Sequence, residues 1–223
     1  MNPKLIDIHT HSDNQSNEII SVKNTPPDFF GSSFYYSTGI HPWDVEKSDI
    51  KDLQILLKHS ENANFIAMGE IGLDKIKAVD FQKQLKFFTG QLELAEKLNK
   101  PLIIHCVRTY SEILSVRKDY NKTPWIIHGF NANQDIAEKL ISKNCYLSFG
   151  SLLFNEKSGA FKVFNQVNTD SIFLETDDSG KKIEEMYQMA ARITNNATSH
   201  LKEKIYNNFV SCFKPCRDVK NTL

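Results

Sequence analysis

The chain of 223 residues has no excess of charge of either sign: 27 basic residues face 27 acidic ones, and the formal net charge is zero. Without a basic field it is not built to coat nucleic acid along its length, although an enzyme acting on nucleic acid needs no such field. It has no apolar run near the ~20 residues that cross a bilayer. Met1 to Leu5 lacks the charged-then-apolar pattern of a secretory leader. The expectation is a cytoplasmic protein with no membrane contact. Cysteine is scarce, and Cys106, Cys145, Cys212 and Cys216 form neither a C-x-x-C zinc spacing nor a disulfide framework. They read as reduced thiols. There is no linker, internal repeat or low-complexity stretch, so the expectation is one domain over residues 1–223, working as a monomer.

What the chain does have is a repeated alternation of β-rich runs and amphipathic helices. Leu5 to His11 reads as a short buried strand, and residues 18–23 and 34–40 as the next two. The loop between the first two leaves no room for a helix. Asp49 is placed to cap a helix carrying Ile50, Leu53, Leu56 and Leu57 at helical spacing. Residues 64–68 form the fourth strand and run into Gly69-Glu70-Ile71-Gly72-Leu73-Asp74. The longest helix is expected over residues 79–98, with Phe81, Leu85, Phe88, Leu92, Ala95 and Leu98 on one buried face. Strands at 102–105, 125–128, 145–149 and 172–177 follow, with helices between them, and two further helices near 182–195 and 198–213 close the chain. Eight strand candidates, the later ones each followed by a helix, predict an α/β fold: a trimmed (β/α)8 TIM-type barrel, its first helix missing and extra helices at its C-terminal end.

Chemistry-bearing residues gather at one place in that pattern. His9, His11, His41, Glu70, His105, His128 and Asp177 each lie at or just past the C-terminal end of a predicted strand, the end where barrels of this kind build their active sites. His9 and His11, two apart on a strand, point to the same face. Such a pair starts a divalent metal site, although polar residues that merely cap a strand look the same in sequence. Bringing this many imidazoles and carboxylates together is costly without a metal or a hydrogen-bonded network.

The successive motifs Asp-Ile-His-Thr-His-Ser-Asp, Gly-Ile-His-Pro, Gly-Glu-Ile-Gly-Leu-Asp, Gln-Leu-Glu-Leu-Ala-Glu-Lys-Leu-Asn-Lys-Pro-Leu-Ile-Ile-His-Cys, Ile-His-Gly-Phe and Leu-Glu-Thr-Asp cover residues 5 to about 178. Together they resemble the signatures of TatD-type metal-dependent hydrolases. The resemblance implies a barrel, a centre of two divalent ions and hydrolysis, with DNA exonuclease or DNase as the activity most often attached to the family. It implies one ion on His9, His11 and Asp177 and a second on His105 and His128, with Glu70 bridging both. Imidazole and carboxylate donors suit zinc or manganese better than magnesium. Two ions would acidify a bridging water and neutralise charge on the reacting phosphate. Asp177 and Glu70 are thus the expected catalytic residues, Asp177 orienting the water and taking its proton.

His41 and Arg108 are expected on the rim as substrate-binding residues, Arg108 offering a fork to a phosphate or carboxylate. A solvated charge at a helix start describes Arg108 equally well. Asp74 reads as a loop brace rather than a ligand. The chain departs from the family at the positions that would touch substrate. Asp178-Ser179-Gly180 stands where a proline-containing loop is usual, Trp43 where a second histidine is usual, and Arg108 lies one place late. The expected substrate is nucleic acid, gripped at single-stranded or frayed ends because a neutral chain cannot hold a duplex along its length. A small-molecule amidohydrolase or phosphoesterase on the same centre is the alternative, followed by a non-catalytic metal-binding barrel.

Overall fold

In a computed structural model of the chain, residues 3–13, 16–31, 33–77 and 79–217 are described, the side chains of 214–217 excepted. Eight strands lie in one sheet in chain order: β1 (Leu5–Thr10), β2 (Ile19–Thr25), β3 (Tyr36–Thr38), β4 (Phe65–Asp74), β5 (Leu102–Val107), β6 (Trp125–Ile127), β7 (Cys145–Phe149) and β8 (Ile172–Leu174). They run parallel, and just past β8 a parallel bridge joins Asp177 to Thr10 of β1. Seven helices are described: α1 (Leu53–Lys58), α2 (Phe81–Lys97), α3 (Tyr110–Val116), α4 (Gln134–Ile141), α5 (Gly159–Phe164), α6 (Ile183–Thr194) and α7 (Thr198–Arg217). Among the described residues no helix separates β1 from β2, as expected. The chain forms two compact units, Met1–Lys23 with Ile127–Cys212 and Asn24–Ile126 with Phe213–Leu223.

In the unit of residues 24–126, β4 is the spine. All ten of its residues are buried, so the whole Gly-Glu-Ile-Gly-Leu-Asp motif is strand rather than a turn after one. Two glycines make that possible. A Cβ at Gly69 would stand 2.5 Å from the Ile103 carbonyl oxygen, and one at Gly72 would stand 2.0 Å from that of His105. Only glycine lets β4 lie this close to β5, and the register puts Gly72 opposite His105. Helix α2 covers β4. It starts where Asp80 accepts from the backbone of Gln82 and Lys83, and it ends at Asn99, whose φ of 51° is left-handed.

The buried face of α2 differs from the expected stripe. Phe88, Leu92 and Ala95 are buried as read, but Phe81, Leu85 and Leu98 are half-buried, and Phe87, Gln84 and Gln91 take places inside. The two glutamines are there because strand ends carry backbone groups that need partners. Gln91 accepts from Ile40 N at 2.6 Å and donates to Ile40 O at 3.1 Å. Gln84 does the same for Asp74, at 2.8 and 3.0 Å. The segment after Asp49 also departs from expectation: Asp49 forms a capping box with Asp52, but two short 3₁₀ turns flank a six-residue α1 in which only Leu56 is buried. Helix α7, at 20 residues, is longer than α2, at 17.

In the other unit, β1 is fixed from the side by α6. The fully buried Tyr187 accepts from Ile6 N at 3.0 Å and lies 3.3 Å from Ile6 O. Cys106, Cys145 and Cys212 are buried and in no disulfide among the described residues, while the side chain of Cys216 lies outside the described residues. Among the described residues, no helix is long and apolar enough to cross a membrane.

Candidate metal centre

In the unit that carries β1, the backbone decides the geometry. Asp177 N donates to His9 O at 3.0 Å and His11 N donates to Asp177 O at 3.3 Å, so Asp177 is paired beside Thr10 with a histidine on either side of that residue. Its φ of 51° is left-handed, a conformation Asp tolerates better than most residues. Asp177 Oδ1 lies 3.5 Å from His9 Nε2 and 3.4 Å from His11 Nε2. Burial alone would push its carboxyl up, but hydrogen bonds from His11 and His9 and the field of His9 and His128 hold it well below the usual carboxylate range. It stays an anion beside the imidazoles. His9 is fully buried, while the side chains of His11 and Asp177 are 45% and 35% exposed, so solvent reaches the cluster through these two.

His128, just past β6, joins this cluster: its ring centroid is 4.5 Å from that of His9. Its Nδ1 faces Glu175 Oε1 at 3.5 Å, and that oxygen accepts from Gly129 N at 2.6 Å. Glu175 is 1% exposed, and its Oε2 has no hydrogen-bond partner among the described residues. Beneath His9, the buried Asp7 accepts from Thr176 N at 2.9 Å and Thr176 Oγ1 at 2.7 Å. Burial pushes its carboxyl up to about 7 against the pull of those two bonds. Asp7 and Glu175 were not singled out in the sequence, although both stand inside quoted motifs. A carboxylate two places ahead of a buried histidine is the signal that marks Asp7.

In the unit of residues 24–126, Glu70 is the centre. Its Oε1 lies 2.7 Å from His105 Nδ1 and 3.1 Å from His41 Nε2, and its backbone N donates to Asn24 Oδ1. His105 Nε2 lies 3.1 Å from Asp74 Oδ2, which also accepts from Trp43 Nε1 at 2.7 Å. Asp74 Oδ1 accepts from the backbone of Ile76 and Lys77, so Asp74 does brace its turn, and it orients a histidine as well. Although burial works against it, these bonds from Trp43, His105 and the two amides keep the Asp74 carboxyl below its ordinary value. Trp43 N donates to His41 Nδ1 at 3.1 Å, so a neutral His41 carries its proton on Nε2 and gives it to Glu70. That makes His41 a donor to the ligand carboxylate rather than a ligand. Ile40, Val45 and Phe87 pack together beneath this segment. Arg108 follows β5 with a left-handed φ of 54°, exposed and outside this network.

The donor sets fit divalent ions. One ligand atom each from His9, His11 and Asp177 all lie within 4.8 Å of one another, and Glu70 and His105 approach equally closely in the second cluster, with His41 beside them as a donor. The second cluster makes a sharper test. An ionised Asp74 requires the His105 proton on Nε2, which leaves the Nδ1 lone pair facing the Glu70 carboxylate at 2.7 Å. Two acceptors at that distance need a cation between them, a proton or a metal.

A family described as TatD related DNase has a model that matches residues 4–214. An uncharacterized metal-dependent hydrolase of Methanocaldococcus jannaschii, MJ1582, is 26% identical over 196 residues, 82% of this chain and 76% of that protein. YabD of Bacillus subtilis, also an uncharacterized metal-dependent hydrolase, is 29% identical over 149 residues, 64% of this chain and 58% of its own length. Among solved structures, the TatD homolog YJJV of Escherichia coli superposes with a TM-score of 0.83 at 21% identity, over 96% of this chain and 99% of that one. A TatD family hydrolase of Entamoeba histolytica gives 0.75 at 16% identity, over 96% and 99%. These likenesses show the fold: an α/β barrel of eight parallel strands.

Proposed function

The chain belongs to the TatD related DNase family of metal-dependent hydrolases, and from that premise we propose that it hydrolyses phosphodiester bonds in DNA, acting on single-stranded or frayed ends. The observation that carries the reading is the convergence of one ligand atom each from His9, His11 and Asp177 within 4.8 Å of one another, a donor set that suits a divalent ion. His9, His11 and Asp177 would hold one ion, and Glu70 with His105 another. His128, with Nδ1 turned to Glu175, offers Nε2 as a further donor. Divalent ions, zinc or manganese ahead of magnesium, would supply charge neutralisation at the phosphate and a water acidic enough to attack at neutral pH.

The chain's own groups do the rest. Asp177, held as a carboxylate, would orient the attacking water as an acceptor. Asp74 and Glu175 fix the rings of His105 and His128. His41 Nε2–H offsets charge on Glu70, and Arg108 offers a guanidinium to a phosphate oxygen. A net charge of zero supports modest affinity that rests on the phosphate at the centre, hence chain ends rather than duplex.

A second reading, a small-molecule phosphoesterase or amidohydrolase, draws support from Trp43, Arg108 and Asp178, all placed where substrate contacts are expected. Activity of the zinc- or manganese-loaded protein on single-stranded DNA, RNA, closed-circular duplex and small phosphate esters decides. Single-stranded DNA should be cut fastest. Equal cutting of closed-circular duplex overturns the preference for ends, and turnover of small esters alone selects the second reading.

A further inference from the structure

Trp43 is the exposed aromatic nearest in the network to the Glu70 cluster, and it is held there. Its side chain keeps 45% of its surface in solvent. Yet its Nε1 donates to Asp74 Oδ2 at 2.7 Å, and its backbone N donates to His41 Nδ1 at 3.1 Å. The indole stands edge-on to His41, ring centroids 4.8 Å apart at 86°, and to His105, 5.9 Å apart at 78°. Tryptophans exposed this far normally sample several rotamers. This one is tied by both its donors to groups that also orient the ligand residues.

One more group completes the arrangement. The Lys77 ammonium sits 4.0 Å from the centroid of the Trp43 ring. Lys77 is exposed, and its backbone N donates to Asp74 Oδ1 at 3.2 Å. A single buried carboxylate therefore fixes the indole through one oxygen and the turn bearing the ammonium through the other. The same turn leaves Ile76 62% exposed.

We propose that Trp43 and Lys77 form a nucleobase subsite: the base next to the scissile phosphodiester stacks on the indole, and Lys77 leaves the ring face to pair with a phosphate oxygen. The proposal rests on the nuclease reading for its substrate, not for its geometry. A π-face accepts any base, so the subsite gives affinity without strong sequence preference. A pre-oriented ring loses little freedom on stacking, and Lys77, already at the ring by cation–π attraction, has a short path to the phosphate.

The chain has two tryptophans, and Trp125 is fully buried, so emission that a small solute changes on binding reports on Trp43. Titration of the protein with dAMP should give saturable quenching, while 2-deoxyribose 5-phosphate, which lacks the base, should quench at least fivefold less. In the metal-loaded enzyme, wild type should prefer a deoxydinucleotide to the matching abasic dinucleotide. Trp43→Ala should cut that preference in kcat/KM by about tenfold, mainly through KM, the scale of one base–aromatic stack. Trp43→Phe, which keeps a ring, should recover most of it. Equal quenching by the two probes, or no quenching, overturns the subsite; so does an unchanged preference ratio in Trp43→Ala. Quenching needs no turnover, so it decides the subsite even if the enzyme cleaves no DNA. Cleavage of DNA without quenching removes the subsite and leaves the nuclease reading in place.

Discussion

In the cluster of His9, His11 and Asp177 the main chain places the side chains, whereas around Glu70 the side chains hold one another. Asp177 reaches its histidines because its backbone is paired beside Thr10, and two of the three groups stay partly in solvent. Glu70, 6% exposed, instead touches His41 and His105, whose other nitrogens are engaged by the Trp43 amide and Asp74. The first arrangement tolerates loss of a member, because the backbone register survives it. The second does not, because each member is part of what orients the next. Buried polar networks are valuable when complete and costly when broken.

Four substitutions test that contrast. Glu70→Gln keeps the volume and removes the charge, and kcat should fall on the order of 100- to 1000-fold, the cost of losing a positioned electrostatic group. Excess metal should not restore it. If the variant keeps more than about a tenth of wild-type kcat, well short of that loss, the network around Glu70 is not what the site depends on. Gly72→Ala comes next. Its Cβ would collide with the His105 carbonyl oxygen, so β4 and β5 must part, at a cost on the order of 3 kcal/mol read from denaturant midpoints. A midpoint within error of wild type would show that β4 can move without harm.

Gln91→Leu leaves the amide and carbonyl of Ile40 without their partner and should cost about 1–3 kcal/mol. Activity should fall further than stability alone explains, since Ile40 precedes His41. Equal losses in both would make Gln91 a purely structural residue. The smallest effect is expected from His11→Asn, which lies in the tolerant cluster: metal affinity should drop, and excess zinc should restore most of kcat. Failure of that rescue would erase the contrast between the clusters.

Acid separates the groups within the first cluster. The folded-state pKa of Asp177 is depressed, so its contribution to stability is present above its unfolded value and is lost only as pH falls through the folded one, far into acid. The carboxylate therefore stays ionised as the imidazoles protonate. Metal binding should weaken in acid, because a protonated imidazole cannot ligate. Metal retained below about pH 4.5, where free imidazole is fully charged, would count against the histidines as ligands.

Sequence by itself determined the residue types and their places along each strand. Period-two spacing put His9 and His11 on one face, and the rhythm of apolar runs gave eight strands and a missing first helix, although Glu70, expected just past a strand end, lies inside β4. Those features are local, set by a few neighbouring residues. Helix α2 marks where local reading stops: hydrophobic periodicity selected Phe81 and Leu85, but the interior took Gln84 and Gln91, because the ends of two strands, one 10 and one 51 residues away in sequence, needed hydrogen-bond partners. The tertiary structure alone decided which carboxylate meets which imidazole. Thr10 pairs with Asp177 and Gly72 with His105 through registers between strands far apart in the chain, and no spacing in the sequence records a register. Nor does the residue type tryptophan announce that its indole N–H will settle on Asp74; that bond exists because β3 and β4 are neighbours in the sheet, and it turns an exposed aromatic into a fixed part of the site.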